Sequence, residues 1–111
     1  MFYEPEKNNH RLPKNPFNSL VVPRPIGWIS SMDAEGLVNL APYSFFTAVC
    51  YRPPTVIFYS SPATEIDSKK DSIRIVEETG EFVFNLANWE TRDQMNQTSA
   101  TVSSKIDEMK L

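Results

Sequence analysis

The sequence contains one cysteine and one histidine, and each scarcity removes a class of chemistry. Cys50 cannot form an intrachain disulfide, which fits a reducing compartment. A Ser-His-Asp triad would have to use His10, and a zinc site made from histidine and cysteine would need His10, Cys50 and carboxylates. His10 lies in a polar leader, and Cys50 lies in an apolar stretch that predicts a buried structural thiol. We therefore expect neither a triad nor a metal site.

The sequence also lacks long apolar runs and an excess of positive charge. No run approaches the roughly 20 apolar residues that a membrane-spanning helix needs, and residues 1–7 lack the apolar region of a signal peptide. A formal net charge of −3 gives no reason to expect a nucleic acid or an anionic membrane as partner. We expect a cytoplasmic protein that binds neither.

Glycine is scarce, with three residues against nine prolines, and this ratio favours extended segments and sheet edges over long helices. A length of 111 residues allows one domain at most. Apolar runs rich in β-branched and aromatic residues predict strands. The predicted strands are 25–32, 37–51, 55–61 and 81–87. Within 37–51 we expect a bend or a sheet edge at Pro42, and a corner at 45–48 could divide the strand. Helical turns are predicted at 17–21, after Ser68 and over 89–97.

Four strands are too few to close a barrel, so the sequence predicts a mainly β fold with short helices and at least one unpaired apolar edge. Pairing such an edge with another copy would bury apolar surface. The alternative is a loosely folded chain that retains its cofactor weakly. Of the two we expect association, as a dimer or a larger species.

The start of the second helix is the first candidate binding site. Ser68 and Asp71 have the spacing of a capping box, and Lys69 and Lys70 lie between them. The first turn of a helix exposes free backbone N–H groups and the positive end of the macrodipole, to which lysines and the Ser72 hydroxyl add donors. This combination can bind a phosphate. A solvated, well-capped helix start is the simpler interpretation of these residues taken alone.

Five motifs in order resemble the FMN-binding split-barrel family of flavin reductase-like proteins. After a turn with Asp and Gly come Asn39–Phe46, Pro53-Pro54 before an apolar strand, Lys70-Asp71-Ser72 before a helix, Thr79–Leu86, and Met95–Ala100. Each motif is weak by itself, but their order covers almost the whole chain. Family members usually continue well beyond this length, so the resemblance identifies residues 1–111 as the N-terminal part of a flavin reductase-like FMN-binding domain.

The resemblance implies a split barrel, a homodimer, and FMN reduced by a nicotinamide donor. It places the FMN phosphate near the serines of the first strand and the Lys-Asp-Ser segment. Backbone groups and short side chains around Ala41 would let a flat ring approach. The expected cofactor-binding residues are Trp28, Ser30, Ser31, Asn39, Ala41, Pro42, Tyr43, Ser44, Lys70, Asp71 and Ser72. No side chain is assigned a catalytic role, because the hydride chemistry belongs to the flavin.

Several alternatives stay open from the sequence. Ser30 and Ser44 taken alone are ordinary strand serines facing solvent, and Phe45 and Phe46 are core residues. The chain could be a split-barrel module without cofactor or activity, or an FMN electron carrier that never reacts with a nicotinamide. FMN is preferred over FAD only through the resemblance.

Overall fold

A computed structural model describes residues 2–60, 71–100 and 109 of the chain. These residues form five strands and three α-helices after a 3₁₀ turn at Pro5–Lys7, which confirms the mainly β class with short helices. The elements in chain order are α1 (Phe17–Leu20), β1 (Gly27–Met32), β2 (Val38–Tyr43), β3 (Phe45–Cys50), β4 (Thr55–Tyr59), α2 (Asp71–Thr79), β5 (Val83–Leu86) and α3 (Arg92–Gln97). None of these helices is long and apolar enough to cross a membrane.

The strands form two separate antiparallel sheets in the described part of the chain. One sheet has the order β2-β1-β5, and the other is the hairpin of β3 and β4. The turn from β1 to β2 is formed by Asp33, whose side chain accepts from the N–H groups of Glu35 and Leu37, and by Gly36 at a φ of 86°. The positive φ explains the glycine in this predicted turn.

The predicted strand 37–51 is two strands that separate at Ser44, and Pro42 lies on a sheet edge, one of the two alternatives predicted for it. Pro42 lies inside β2, directly opposite Trp28 of β1. β2 is an edge strand of its sheet in the described residues, so a proline that cannot donate a ladder hydrogen bond is tolerated there. The chain then leaves this sheet at Ser44 and begins β3 at Phe45.

Side chains alternate across a strand and directly paired residues share a face, so the three-stranded sheet has two distinct faces. Asn39 bonds Ser72 of α2 on one face, and Trp28 bonds Thr98 at the end of α3 on the other. The α2 face consists of Gly27, Ile29, Ser31, Asn39, Ala41, Tyr43, Phe84 and Leu86. The α3 face consists of Trp28, Ser30, Met32, Val38, Leu40, Pro42, Val83 and Asn85.

Aromatic rings fill the space between the α2 face and the base of the hairpin. Phe46 of β3 stacks on Phe84 of β5 with ring centroids 4.7 Å apart. Phe58 of β4 contacts Tyr43 at 5.1 Å and Phe82 at 5.0 Å. Phe46 and Tyr43 are buried, so the prediction that Phe46 belongs to the core is confirmed.

The far end of the hairpin is apolar and exposed, and this corrects the prediction for Cys50. Cys50 is an exposed free thiol at the end of β3, with its Sγ 3.2 Å from the carbonyl oxygen of Arg52. Its neighbours Val49 and Tyr51 are 61% and 80% exposed. The apolar stretch therefore marks a hairpin that projects from the core, and the expectation of a buried thiol is wrong.

Gly27 is required by the close approach of Phe46. A Cβ atom on Gly27 would lie 2.5 Å from Cδ2 and 2.7 Å from Cγ of Phe46. We expect Gly27→Ala to lower the free energy of unfolding by about 1–3 kcal/mol through overpacking. Denaturant unfolding followed by circular dichroism measures this change.

A double-mutant cycle separates this clash from a general effect of alanine at the start of β1. In Gly27→Ala/Phe46→Ala the Cγ and Cδ2 atoms that would overlap are absent. The double variant should therefore lose less stability than the sum of the losses in the two single variants. Strictly additive losses would contradict a contact between the two positions.

Candidate functional site

A cluster of three polar side chains lies where the α2 face meets the first turn of α2. Ser31 of β1 lies directly opposite Asn39 of β2. The Nδ2 group of Asn39 donates a hydrogen bond of 2.8 Å to the Oγ atom of Ser72. Ser31 is 5% exposed and Ser72 is 1% exposed, so both hydroxyls are buried, while Asn39 is half-buried. Three of the eleven predicted cofactor residues are thus brought together by the β1–β2 hairpin and the distant helix α2.

The Ser31 hydroxyl is the unusual member of this cluster. Its Oγ atom is buried and has no hydrogen-bond partner among the described residues. Buried polar atoms without a partner are uncommon, because leaving one unsatisfied costs about 1–3 kcal/mol. A ligand oxygen next to Ser31 would give this hydroxyl the partner that it lacks.

Asp71, another predicted cofactor residue, forms an ion pair within α2. Its Oδ1 atom lies 3.4 Å from Arg74, whose guanidinium also lies 3.2 Å from Glu78. The hydrogen bonds that Arg74 donates to Glu78 and, to a smaller extent, to Asp71 raise the pKa of Arg74 above its usual value. Lys70, which precedes Asp71, lies outside the described residues.

The α3 face holds three other predicted cofactor residues, and two of them already have partners. Trp28 donates from Nε1 to the Oγ1 atom of Thr98 at 2.9 Å. Asn85 of β5 donates from Nδ2 to the Ser30 hydroxyl and to the Trp28 carbonyl, both at 3.0 Å. Pro42 lies opposite Trp28 on this same face. These bonds tie β1 to β5 and α3, so Trp28, Ser30 and Pro42 do not join the Ser31 cluster.

The remaining predicted residues lie in the second half of β2 and directly after it. Ala41 lies opposite the fully buried Ile29 on the α2 face, and Tyr43 lies two residues further on the same face. Ser44 is exposed at the break between β2 and β3, and its carbonyl accepts a hydrogen bond from Arg24. Ala41 and Tyr43 therefore share a face with the Ser31 cluster.

Sequence reasoning missed Arg24, Asn85 and Thr98. Asn85 falls within the Thr79–Leu86 motif that carried the family resemblance, and this motif was the available signal for it. The partners of Asn85 and Thr98 lie 55 to 70 residues away in sequence, which local patterns do not reveal. In the described ranges no group of three or more His, Cys, Asp or Glu side chains could hold a metal ion.

The chain matches the family model described as "Flavin reductase like domain" over residues 19–111. A curated relative, an uncharacterized protein of Aquifex aeolicus strain VF5, is 38% identical over 89 residues. The match covers 80% of this chain and 45% of the relative. The chain therefore spans less than half the length of this relative.

Two solved structures share the fold. Nitrilotriacetate monooxygenase component B from Bacillus cereus superposes with a TM-score of 0.82 at 27% identity, covering 99% of this chain and 54% of that one. A split-barrel domain protein from Shewanella frigidimarina NCIMB 400 gives a TM-score of 0.77 at 22% identity, with the same coverages of 99% and 54%. The expected split-barrel fold is confirmed.

Removal of the Ser72 hydroxyl should destabilise the protein. Ser72→Ala removes the acceptor of the half-buried Asn39 amide, and we expect a loss of about 1 kcal/mol in the free energy of unfolding, the usual net contribution of one hydrogen bond. Ser44→Ala is the matched control, because Ser44 is exposed and a surface substitution changes stability by about 0.5 kcal/mol or less. Equal effects of the two substitutions in urea unfolding would contradict the importance of the Asn39–Ser72 bond.

Proposed function

The chain belongs to the flavin reductase-like domain family, and on that premise we propose that it binds FMN on the α2 face of its three-stranded sheet. The phosphate end of the cofactor would lie against the cluster of Ser31, Asn39 and Ser72. The isoalloxazine ring would lie along β2 towards Ala41 and Tyr43.

The buried Ser31 hydroxyl is the observation that carries this proposal. It lacks a partner among the described residues, and a phosphate oxygen can accept the hydrogen bond that it has to donate. Bonds to a charged acceptor contribute about 1.5–3 kcal/mol. Ser72 lies in the first turn of α2, where backbone N–H groups favour an anion. Lys70 would add a full positive charge, as the family resemblance implies.

The proposed position of the ring depends on the small size of Ala41. A residue without a long side chain lets a flat ring approach the backbone of β2, whose N–H and C=O groups can bind the polar edge of a flavin. The aromatic ring of Tyr43 continues the same face. Trp28, Ser30 and Pro42, on the α3 face, would support β1 from behind without contact to the cofactor.

We propose that the activity is a flavin reductase-type oxidoreduction with a nicotinamide donor. The bound flavin would supply the hydride chemistry, while the residues of the chain bind and orient it. The family supports this class of reaction, whereas the choice of FMN over FAD, the donor and a cytoplasmic location are parts of the proposal.

Two simple measurements separate this function from its rivals. A module without cofactor would remain colourless after incubation with FMN and gel filtration, whereas a flavoprotein would carry a flavin absorption band. An FMN electron carrier would bind flavin but would not accelerate NADH or NADPH oxidation when free flavin is added. Flavin binding together with nicotinamide oxidation supports the reductase.

We also propose that the protein forms a homodimer. β5 is an edge of its sheet in the described part of the chain, and Val83 and Leu86 on it are 60% and 76% exposed. Ile57 and Tyr59 of the hairpin are also exposed apolar residues. Covering such residues contributes roughly 25 cal/mol per Å² of apolar area.

Size-exclusion chromatography with light scattering tests the association. We expect the mass of two chains, each of 12.7 kDa, because the exposed strands of one copy can be covered by another. A compact monomer that unfolds cooperatively would contradict the proposal and would show that these apolar strands need no cover.

Two adjacent serines provide a sharp test of the cofactor site. Ser31→Ala removes the hydroxyl without a partner, so it should weaken FMN by roughly ten- to a hundredfold while stability changes by about 1 kcal/mol or less. Ser30→Ala is the matched control on the opposite face. It should lose about 1 kcal/mol of stability with its bond to Asn85 and should leave FMN affinity within about twofold.

Fluorescence titration of FMN with each variant measures the dissociation constant, and urea unfolding measures the stability. The opposite result, in which Ser30→Ala weakens FMN and Ser31→Ala does not, would move the cofactor to the α3 face. Equal affinity in both variants and in the unaltered chain would remove both serines from the site.

A further inference from the structure

Arg24 connects two separate segments of backbone through its guanidinium group. Nε donates to the carbonyl oxygen of Ser44 at 3.1 Å. Nη1 donates to the carbonyl oxygens of Asn18 at 2.5 Å and of Val21 at 2.9 Å. The guanidinium carbon also lies 5.1 Å from the centroid of the Phe45 ring. One side chain therefore connects residues 17–21, which contain α1, to the β2–β3 junction.

The hydrogen bonds from Arg24 supply donors to the C-terminal end of α1. α1 has only four residues, and its N-cap residue, Pro16, makes no side-chain capping hydrogen bond. The last carbonyls of any helix lack partners within the helix. Arg24 supplies donors to Asn18, within α1, and to Val21, which follows its last residue. α1 has no buried residue, and these hydrogen bonds attach it to the segment that leads into β1.

The hydrogen bond to Ser44 has a consequence for the proposed flavin site. A peptide unit is planar, so fixing the Ser44 carbonyl also fixes the direction of the Phe45 N–H group. Ser44 is the single residue between β2 and β3. Its orientation determines how the strand that carries Ala41 and Tyr43 ends, and how the hairpin that carries Phe46 begins.

We propose that Arg24 is a positioning residue for the flavin site: by holding the Ser44 carbonyl it sets the geometry of the β2 end along which the isoalloxazine lies. This inference rests on the proposed function and adds a residue that does not itself contact the cofactor. Arginine suits the role because its planar fork offers five donors in fixed directions, whereas lysine presents one compact ammonium.

The test compares Arg24→Gln and Arg24→Lys with Arg92→Gln in the full chain. Arg92 is a matched control, because it also donates to a backbone carbonyl, that of Trp89 at 2.6 Å, and also lies over an aromatic ring, 4.1 Å from the Trp89 centroid. FMN affinity, the absorption spectrum of the flavin at saturation, and amide hydrogen exchange around α1 and Ser44 are measured at a temperature where circular dichroism shows each variant to be folded.

We expect Arg24→Gln to bind FMN about tenfold more weakly, a change of about 1.4 kcal/mol, with a shifted flavin absorption band and faster exchange around α1 and Ser44. Arg24→Lys should recover part of the affinity, since an ammonium can still donate to one or two carbonyls. Arg92→Gln should keep the affinity and spectrum of the unaltered chain.

Two results would overturn the inference, and they are distinguishable from each other. Amide hydrogen exchange around α1 could rise in Arg24→Gln while the FMN affinity and the flavin spectrum stay unchanged. In that case Arg24 only stabilises α1. If the unaltered chain does not bind FMN, the proposed function is wrong and the positioning role falls with it. Amide hydrogen exchange would then still show whether Arg24 connects α1 to Ser44.

Discussion

The position of β1 between β2 and β5 is the constraint on which the rest of the structure depends. β1 pairs with a strand on each side over a continuous register. Successive side chains of such a strand must point to opposite faces of the sheet. Ser31 and Ser30 are therefore separated by the whole thickness of the sheet, although they are neighbours in the sequence.

Because of this alternation, the two faces of the sheet differ in the hydrogen bonds that their polar side chains make. On the α3 face, Ser30 and Trp28 bond Asn85 and Thr98, and these bonds hold β1 to β5 and α3. On the α2 face, Ser31 keeps a free hydroxyl in the described part of the chain, beside the Asn39–Ser72 pair. Ser30 and Trp28 on one face have partners within the protein, whereas Ser31 on the other face has none among the described residues. The proposal of a flavin site on the α2 face follows from this difference.

Local patterns predicted most of the elements but not their arrangement. The strand at 25–32 is observed as Gly27–Met32, and the turn with Gly36 is observed as predicted, because alternation and turn chemistry are local properties. The burial of Cys50 was predicted wrongly, since apolar neighbours indicate burial only where another element covers them. The assignment of candidate site residues to two faces required the register of β1 with β2, which no motif states. The role of Arg24 was also missed, because its partners are backbone carbonyls, which every residue has and which no sequence motif identifies.

The central claim is that FMN binds the α2 face, and two asparagine side chains report on the two faces directly. The Nδ2 group of Asn39 bonds Ser72 on the α2 face, and that of Asn85 bonds Ser30 on the α3 face. In a ¹⁵N–¹H correlation spectrum recorded during an FMN titration, we predict that the side-chain amide signals of Asn39 shift to saturation while those of Asn85 stay in place. Shifts at Asn85 without shifts at Asn39, or no shifts at either, would contradict the account.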